Sequence, residues 1–123
     1  MKPLVIENVR LVLEGGVRDG CIVVEGARIA GAHAGCCDLP EPADRVDGGG
    51  RLLAPGLIDV HVHGGGGFDL MSDDPEQVRG YARWVVRRGV TGFLVSTSGR
   101  DHADIVRRLR AVAPAIGAEA GAA

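Results

Sequence analysis

Leu-Ala-Pro-Gly-Leu-Ile-Asp-Val-His-Val-His-Gly-Gly-Gly-Gly, residues 53–67, decides how the rest of the chain is read. Pro55 and Gly56 interrupt the backbone, and from Ile58 to His63 the residues then alternate with a period of two. Such alternation marks a strand with two unlike faces, Ile58, Val60 and Val62 on one and Asp59, His61 and His63 on the other. Side chains two apart on a strand root roughly 6.5–7 Å apart and point the same way. Two imidazoles so placed can lean together until each brings a nitrogen to about 2.0–2.1 Å from one metal ion. The bland alternative is a histidine pair that decorates a surface or sits satisfied in a core. Context favours the ligand reading, because the apolar face wants burial and the strand runs into Gly64–Gly67 as a parallel-sheet strand runs into an active-site loop. The glycines remove side chains where the ligands emerge and let backbone or substrate approach.

Beyond this stretch, Asp74 is a helix N-cap, Pro75 fits the first helical position and Gln77 can complete a capping box. Val78, Tyr81, Ala82 and Val85 then recur at helical spacing with Arg79, Arg83 and Arg87 opposite, until Gly89 stops the helix. Val90 to Thr97 reads as a second strand, and its run Phe93-Leu94-Val95 suits burial on both faces. After the loop Ser98-Gly99-Arg100, residues 101–112 read as a second helix with Ile105, Leu109 and Val112 inward, ended by Pro114. Strand, helix, strand, helix is the parallel βαβ pattern, for which a right-handed crossover is the rule.

The residues before Pro55 read differently. Leu4 to Ile6, Val9 to Leu13, Cys21 to Glu25, Arg28 to Ala30 and Arg45 to Asp47 are short β-rich runs separated by Gly15-Gly16, Asp19-Gly20, Gly26 and Gly48 to Gly50. That spacing predicts hairpins and a small antiparallel unit. Residues 31–42 read as a surface loop with His33 facing solvent. The boundary between the two architectures falls near Pro55, giving domains 1–54 and 55–123.

The totals exclude several classes. A net charge of −2, with no unbroken basic run longer than a pair such as Arg87-Arg88, argues against a nucleic-acid partner. Cys21, Cys36 and Cys37 are odd in number and form no Cys-x-x-Cys, which fits neither a disulfide framework nor a zinc knuckle and suits a reducing cytoplasm. No secretory leader pattern opens the chain and no apolar run approaches the roughly 18 residues of a membrane span. The 123 residues allow one domain, or one and part of another.

Assembled, these residues resemble the amidohydrolase superfamily, and within it the N-acetylglucosamine-6-phosphate deacetylase family. The resemblance rests on Gly-Ala-Arg-Ile-Ala at 26–30, on Ala-Pro-Gly-Leu-Ile-Asp-Val-His-Val-His-Gly-Gly-Gly-Gly at 54–67, and on Arg-Gly-Val-Thr-Gly-Phe-Leu at 88–94 with Ser96 and Thr97 after it. It implies an α/β fold: part of a small N-terminal β-sandwich, then the first two β/α units of a TIM-type (β/α)8 barrel left incomplete in this chain. It further implies a divalent metal, zinc or iron foremost, held in part by His61 and His63. Asp59 is not a ligand in that family and takes a role in supporting the ligands or the fold. The implied reaction converts N-acetyl-D-glucosamine 6-phosphate and water to D-glucosamine 6-phosphate and acetate, in amino-sugar catabolism. The metal would lower the pKa of bound water and polarise the amide oxygen, while a carboxylate protonates the departing amine. Full-length members are expected to be homo-oligomers with a phosphorylated amino-sugar substrate, without nucleic acid or membrane.

The family's further metal ligands, catalytic Asp and phosphate-binding residues match nothing here, and neither Glu119 nor His102 is recruited in their place. A barrel needs roughly 200 residues or more to close, whereas 69 run from Pro55 to Ala123. The expectation is an N-terminal piece that holds no catalytic residue and is inactive alone. The alternatives are another amidohydrolase, such as a D-aminoacylase or a dihydroorotase-like enzyme, and a non-enzymatic interaction fragment. Cyclic amidases often carry an Arg shortly after the second His, where this chain has only glycine.

Overall fold

The computed structural model describes residues 2–35 and 39–117, so Cys36, Cys37 and Glu119 lie outside the described residues. The chain divides into two compact units, Met1–Pro55 and Gly56–Ala123.

The first unit is a four-stranded sheet of β1 (Leu4–Leu13), β2 (Gly16–Glu25), β3 (Arg28–Ala34) and β4 (Asp44–Leu53), in the order β3-β2-β1-β4. β1, β2 and β3 are joined by hairpins at Gly15 and Gly26, as those glycines predict, whereas Asp19-Gly20, expected as a turn, lies within β2 and pairs with Arg10 and Val9 of β1. The expectation of a wholly antiparallel unit fails at β4, which runs parallel to β1. No turn joins those two strands; two hairpin strands intervene, and the chain crosses from one edge of the sheet to the other, so direction is not fixed by a tight turn. The expected break at Gly48 to Gly50 also becomes strand. Glu7 pairs with Asp47 and Val9 with Arg51, so residues 48–50 bulge opposite Asn8. Asn8, at φ 52°, donates through Nδ2 to Asp47 Oδ1 at 2.7 Å, and Gly49 N donates to the same oxygen at 2.8 Å. β3 likewise extends through Ala34, into what reads as loop. Val9, Leu11 and Ile22 form the buried cluster, with Ile6, Val24 and Leu53 packed on it.

The second unit pairs β5 (Leu57–Val62) with β8 (Val90–Val95) in parallel. Between them lie the two-residue strands β6 (Gly64–Gly65) and β7 (Phe68–Asp69), then α1 (Pro75–Val85), and α2 (His102–Val112) follows β8. α1 starts where its cap predicts: Asp74 accepts from Glu76 N at 2.9 Å, an interaction typically worth about 0.5–2 kcal/mol. The capping box does not form, because Gln77 Oε1 accepts instead from Asp69 N at 3.0 Å and ties the helix to β7. A 3-10 turn, Val86–Arg88, extends the helix until Gly89 closes it in the left-handed conformation.

Val62, Leu70, Val78, Tyr81, Val85, Val112 and Ala115 make the core on the helix side of this pair of strands, with Phe93 and Val95 packed against it. Burying one such side chain stabilises by about 1.5–3 kcal/mol. The opposite side of the sheet is bare. Ile58 is 70% exposed, Val60 68% and Leu94 61%, which corrects the expectations that Ile58 and Val60 are buried and that β8 is covered on both faces. The cause is coverage: helices pack on one face only, and among the described residues β5 and β8 have no further strand neighbour. Leu109 of α2, expected inward, is 43% exposed. No helix among the described residues is long and apolar enough to cross a membrane.

Candidate metal centre

Strict alternation along β5 does not survive. Asp59 pairs with Phe93 and Val62 with Val95, so three steps on β5 match two on β8 and a bulge falls across Val60 and His61. Paired residues project to the same face, and Phe93 belongs to the helix side, where its ring meets Tyr81 edge-on at 4.9 Å. Asp59 therefore lies on the helix side and not with the histidines, contrary to the period-two reading. Its charge is felt there: burial pushes the Tyr81 phenol up, and the nearby Asp59 carboxylate adds to the push. Asp59 still touches the ligand strand, since Oδ1 accepts from His61 N at 3.1 Å and closes the bulge.

His61 and His63 converge. Their Nε2 atoms are 3.2 Å apart and the rings meet edge to face, centroids 5.0 Å apart. Nitrogens each about 2.0–2.1 Å from one ion and a tetrahedral angle apart are about 3.4 Å from one another, so the observed spacing is close to a metal's bite. His63 is further held through Nδ1, which lies 2.9 Å from the Ser96 carbonyl and 3.2 Å from Met71 Sδ. Both neighbours can only accept, so the neutral ring carries its proton on Nδ1. That leaves the Nε2 lone pair facing His61. The end of the strand is pinned as well, Leu70 N donating to His63 O at 3.0 Å and Ser96 N to Val62 O at 2.9 Å.

The tetraglycine has a role different from the one its composition suggests. Gly64 and Gly65 pair antiparallel with Asp69 and Phe68, and the turn between them passes over the Trp84 ring. At Gly66 (φ +60°) a Cβ would fall 2.3 Å from Trp84 Cε2, so both the turn and the close contact demand glycine. The glycines serve packing first, and they turn the chain so that Leu70 enters the core and Met71 reaches His63.

The donor set fits half of a metal site. Two imidazole nitrogens converge and one ring is oriented by a carbonyl, yet no group of three or more His, Cys, Asp or Glu that could hold a metal occurs among the described residues. His33 on β3 belongs to the first unit and is exposed, and His102 is exposed at the start of α2. Sequence reasoning missed Met71 and the carbonyl of Ser96, because a thioether and a backbone oxygen leave no pattern in the residue order.

No family model matches the chain. Its relatives and structural neighbours nevertheless include deacetylases of the amidohydrolase superfamily, hydrolases that act on amides. Among them are proteins named N-acetylglucosamine-6-phosphate deacetylase. That of Lysinibacillus sphaericus is 29% identical over 102 residues, 76% of this chain and 24% of its own length. A crystal structure of the Pasteurella multocida deacetylase superposes with a TM-score of 0.83 at 18% identity, covering 98% of this chain and 32% of that one. The Mycobacterium smegmatis deacetylase, a mutant in complex with N-acetyl-D-glucosamine-6-phosphate, superposes with a TM-score of 0.75 at 22% identity, covering 92% and 29%. Proteins named L-hydantoinase, adenine deaminase and dihydroorotase also match. The chain spans about a quarter of the length of the Lysinibacillus relative.

Proposed function

We propose that this chain supplies the His-x-His half of the metal centre of an amide hydrolase of the N-acetylglucosamine-6-phosphate deacetylase kind. Residues 1–54 would be the N-terminal part of its small β-sandwich and residues 55–123 the first two strand–helix units of its (β/α)8 barrel. The observation that carries this is the convergence of His61 Nε2 and His63 Nε2 at 3.2 Å, with the His63 proton fixed on the far nitrogen by Ser96 O. The parallel β5–β8 pair around α1 and the superpositions on deacetylase structures support the barrel reading.

When bound, a divalent ion such as zinc or iron would acidify a water and polarise the acetamide oxygen of N-acetyl-D-glucosamine 6-phosphate, releasing acetate and D-glucosamine 6-phosphate. This chain's own residues would act by orientation. His61 and His63 would present their Nε2 atoms; Ser96 O would hold one ring's proton away from the site; Asp59 would fix the bulge that aims His61. No carboxylate among the described residues meets the histidine pair to protonate a leaving amine, so the chain by itself would not turn over. Phosphorylated amino sugar is the proposed substrate class, and the odd cysteine count suits a cytoplasmic setting.

The test is acetate release from N-acetylglucosamine 6-phosphate by the purified 123-residue chain with added zinc or iron. A second arm grafts the chain in place of the matching portion of the Lysinibacillus deacetylase. The chain alone is expected to release no acetate, and the graft to be active and to lose activity with His61→Ala or His63→Ala. Robust turnover by the chain alone, or a folded and active graft indifferent to both substitutions, would refute the reading.

A further inference from the structure

His63 is an exposed ring whose Nδ1 proton must be kept on a single acceptor if Nε2 is to stay free. Ser96 O is that acceptor, and Met71 Sδ stands beside the same nitrogen at 3.2 Å, where water would otherwise compete. Met71 is itself placed from three sides. Its N–H donates to Asp69 Oδ1 at 2.8 Å, Ser98 Oγ lies 3.9 Å from its sulfur, and its carbonyl accepts from Arg108 Nη1 on α2. Arg108 is in turn oriented by Asp104, whose Oδ2 accepts from Arg108 Nε at 3.4 Å and from Arg100 N at 3.2 Å. Asp104 is 8% exposed, the one buried charged residue described, and its neighbour Arg107 binds both it and Asp73. A helix with no residue in the histidine pair thus reaches the loop that covers one of its rings.

We infer that Arg108 is a positioning residue for His63, acting through Met71. Its guanidinium holds the Met71 carbonyl so that the thioether shields the Nδ1–H···O=C bond to Ser96, which keeps the Nε2 lone pair directed at His61. The functional weight of this rests on the reading of His61 and His63 as ligands, but the effect on the ring does not. A merely structural tie between α2 and the loop would act equally through Arg107, which binds Asp73 and Asp104 without touching Met71.

The experiment is nitrogen-15 NMR of the histidine rings in the full 123-residue chain near pH 8, followed by titration with zinc alone. Wild-type His63 is expected as the single Nδ1–H tautomer. Arg108→Gln and Met71→Ala should each give a mixture of tautomers and weaken the zinc response of both rings by about tenfold or more, the usual effect of losing a group that orients a ligand. Arg108→Lys should restore part of the effect, and Arg107→Gln should resemble wild type. Met71→Ala, a change in a loop side chain, carries the test if Arg108→Gln does not fold. A His63 that stays wholly Nδ1–H in the variants, or shifts equally in Arg107→Gln, would overturn the inference. If wild type ignores zinc, the ligand reading fails, and the tautomer comparison still decides the role of Arg108.

Discussion

Both units of this molecule carry a strand bulge, and they use it in opposite ways. In the first, residues 48–50 are glycines, and the Asp47 carboxylate gathers Asn8 and Gly49 to close the irregularity within the sheet. In the second, the bulge falls on Val60 and His61, where the Asp59 carboxylate gathers only His61 N. One bulge disappears into a ladder; the other changes which face a side chain takes. Asp59 goes to the helix side, while His61 joins His63 on the side left bare. The same backbone device serves stability where its residues lack side chains and serves a site where one of them is an imidazole.

The largest expected effect strikes the support under the second bulge. Leu70 is 2% exposed in the core and its N–H holds the His63 carbonyl. Leu70→Ala should cost about 2–5 kcal/mol. Urea unfolding followed by fluorescence of Trp84, the only tryptophan, measures the second unit directly. A loss below about 0.5 kcal/mol, within the range of an ordinary surface substitution, would mean that Leu70 does not anchor the ligand strand.

The two closing carboxylates sharpen the contrast further. Asp59→Ala should weaken the zinc response of His61 and His63 by about tenfold, as removal of a ligand's supporting group does. Asp47→Ala should leave that response unchanged and lower only the stability of the first unit. Equal effects of the two substitutions on the rings would erase the distinction between the two bulges.

A smaller effect is expected from acid. The Arg100 backbone N–H, and then Arg108, hold the Asp104 carboxyl below its ordinary 3.8. A folded value below the unfolded one favours the charged form in the folded state. The contribution is therefore fully present above about pH 4 and is lost as pH falls through the depressed folded value. In Asp104→Asn the second unit should be weaker at neutral pH and should lose less on acidification, read again from Trp84. An unchanged acid profile would remove Asp104 from the account.

Much of this was legible in the residue order. Asp74, Pro75 and Gly89 mark the ends of the first helical segment because capping is local chemistry, and the spacing His-x-His already marks the two rings as a pair. The parallel pairing of β4 was not legible, because nothing within the strand records which edge it will join. Nor was the bulge at 60–61: Ile58 to His63 alternates perfectly in sequence, and only the pairing with β8 shows that the backbone does not. The exposure of Ile58 and Val60 escaped for a related reason, since an apolar residue states a preference for burial without supplying the element that covers it. Met71 and Arg108 reach the site through the tertiary fold and leave no trace in spacing.

The most direct measurement is a zinc titration of the chain watched at its four histidines by NMR. The account predicts that the ring signals of His61 and His63 move together along one saturating curve, and that each loses its response when the other is changed to Ala. Exposed His33 and His102 should scarcely move. Four histidines that respond alike, or a pair whose members respond independently, would contradict it.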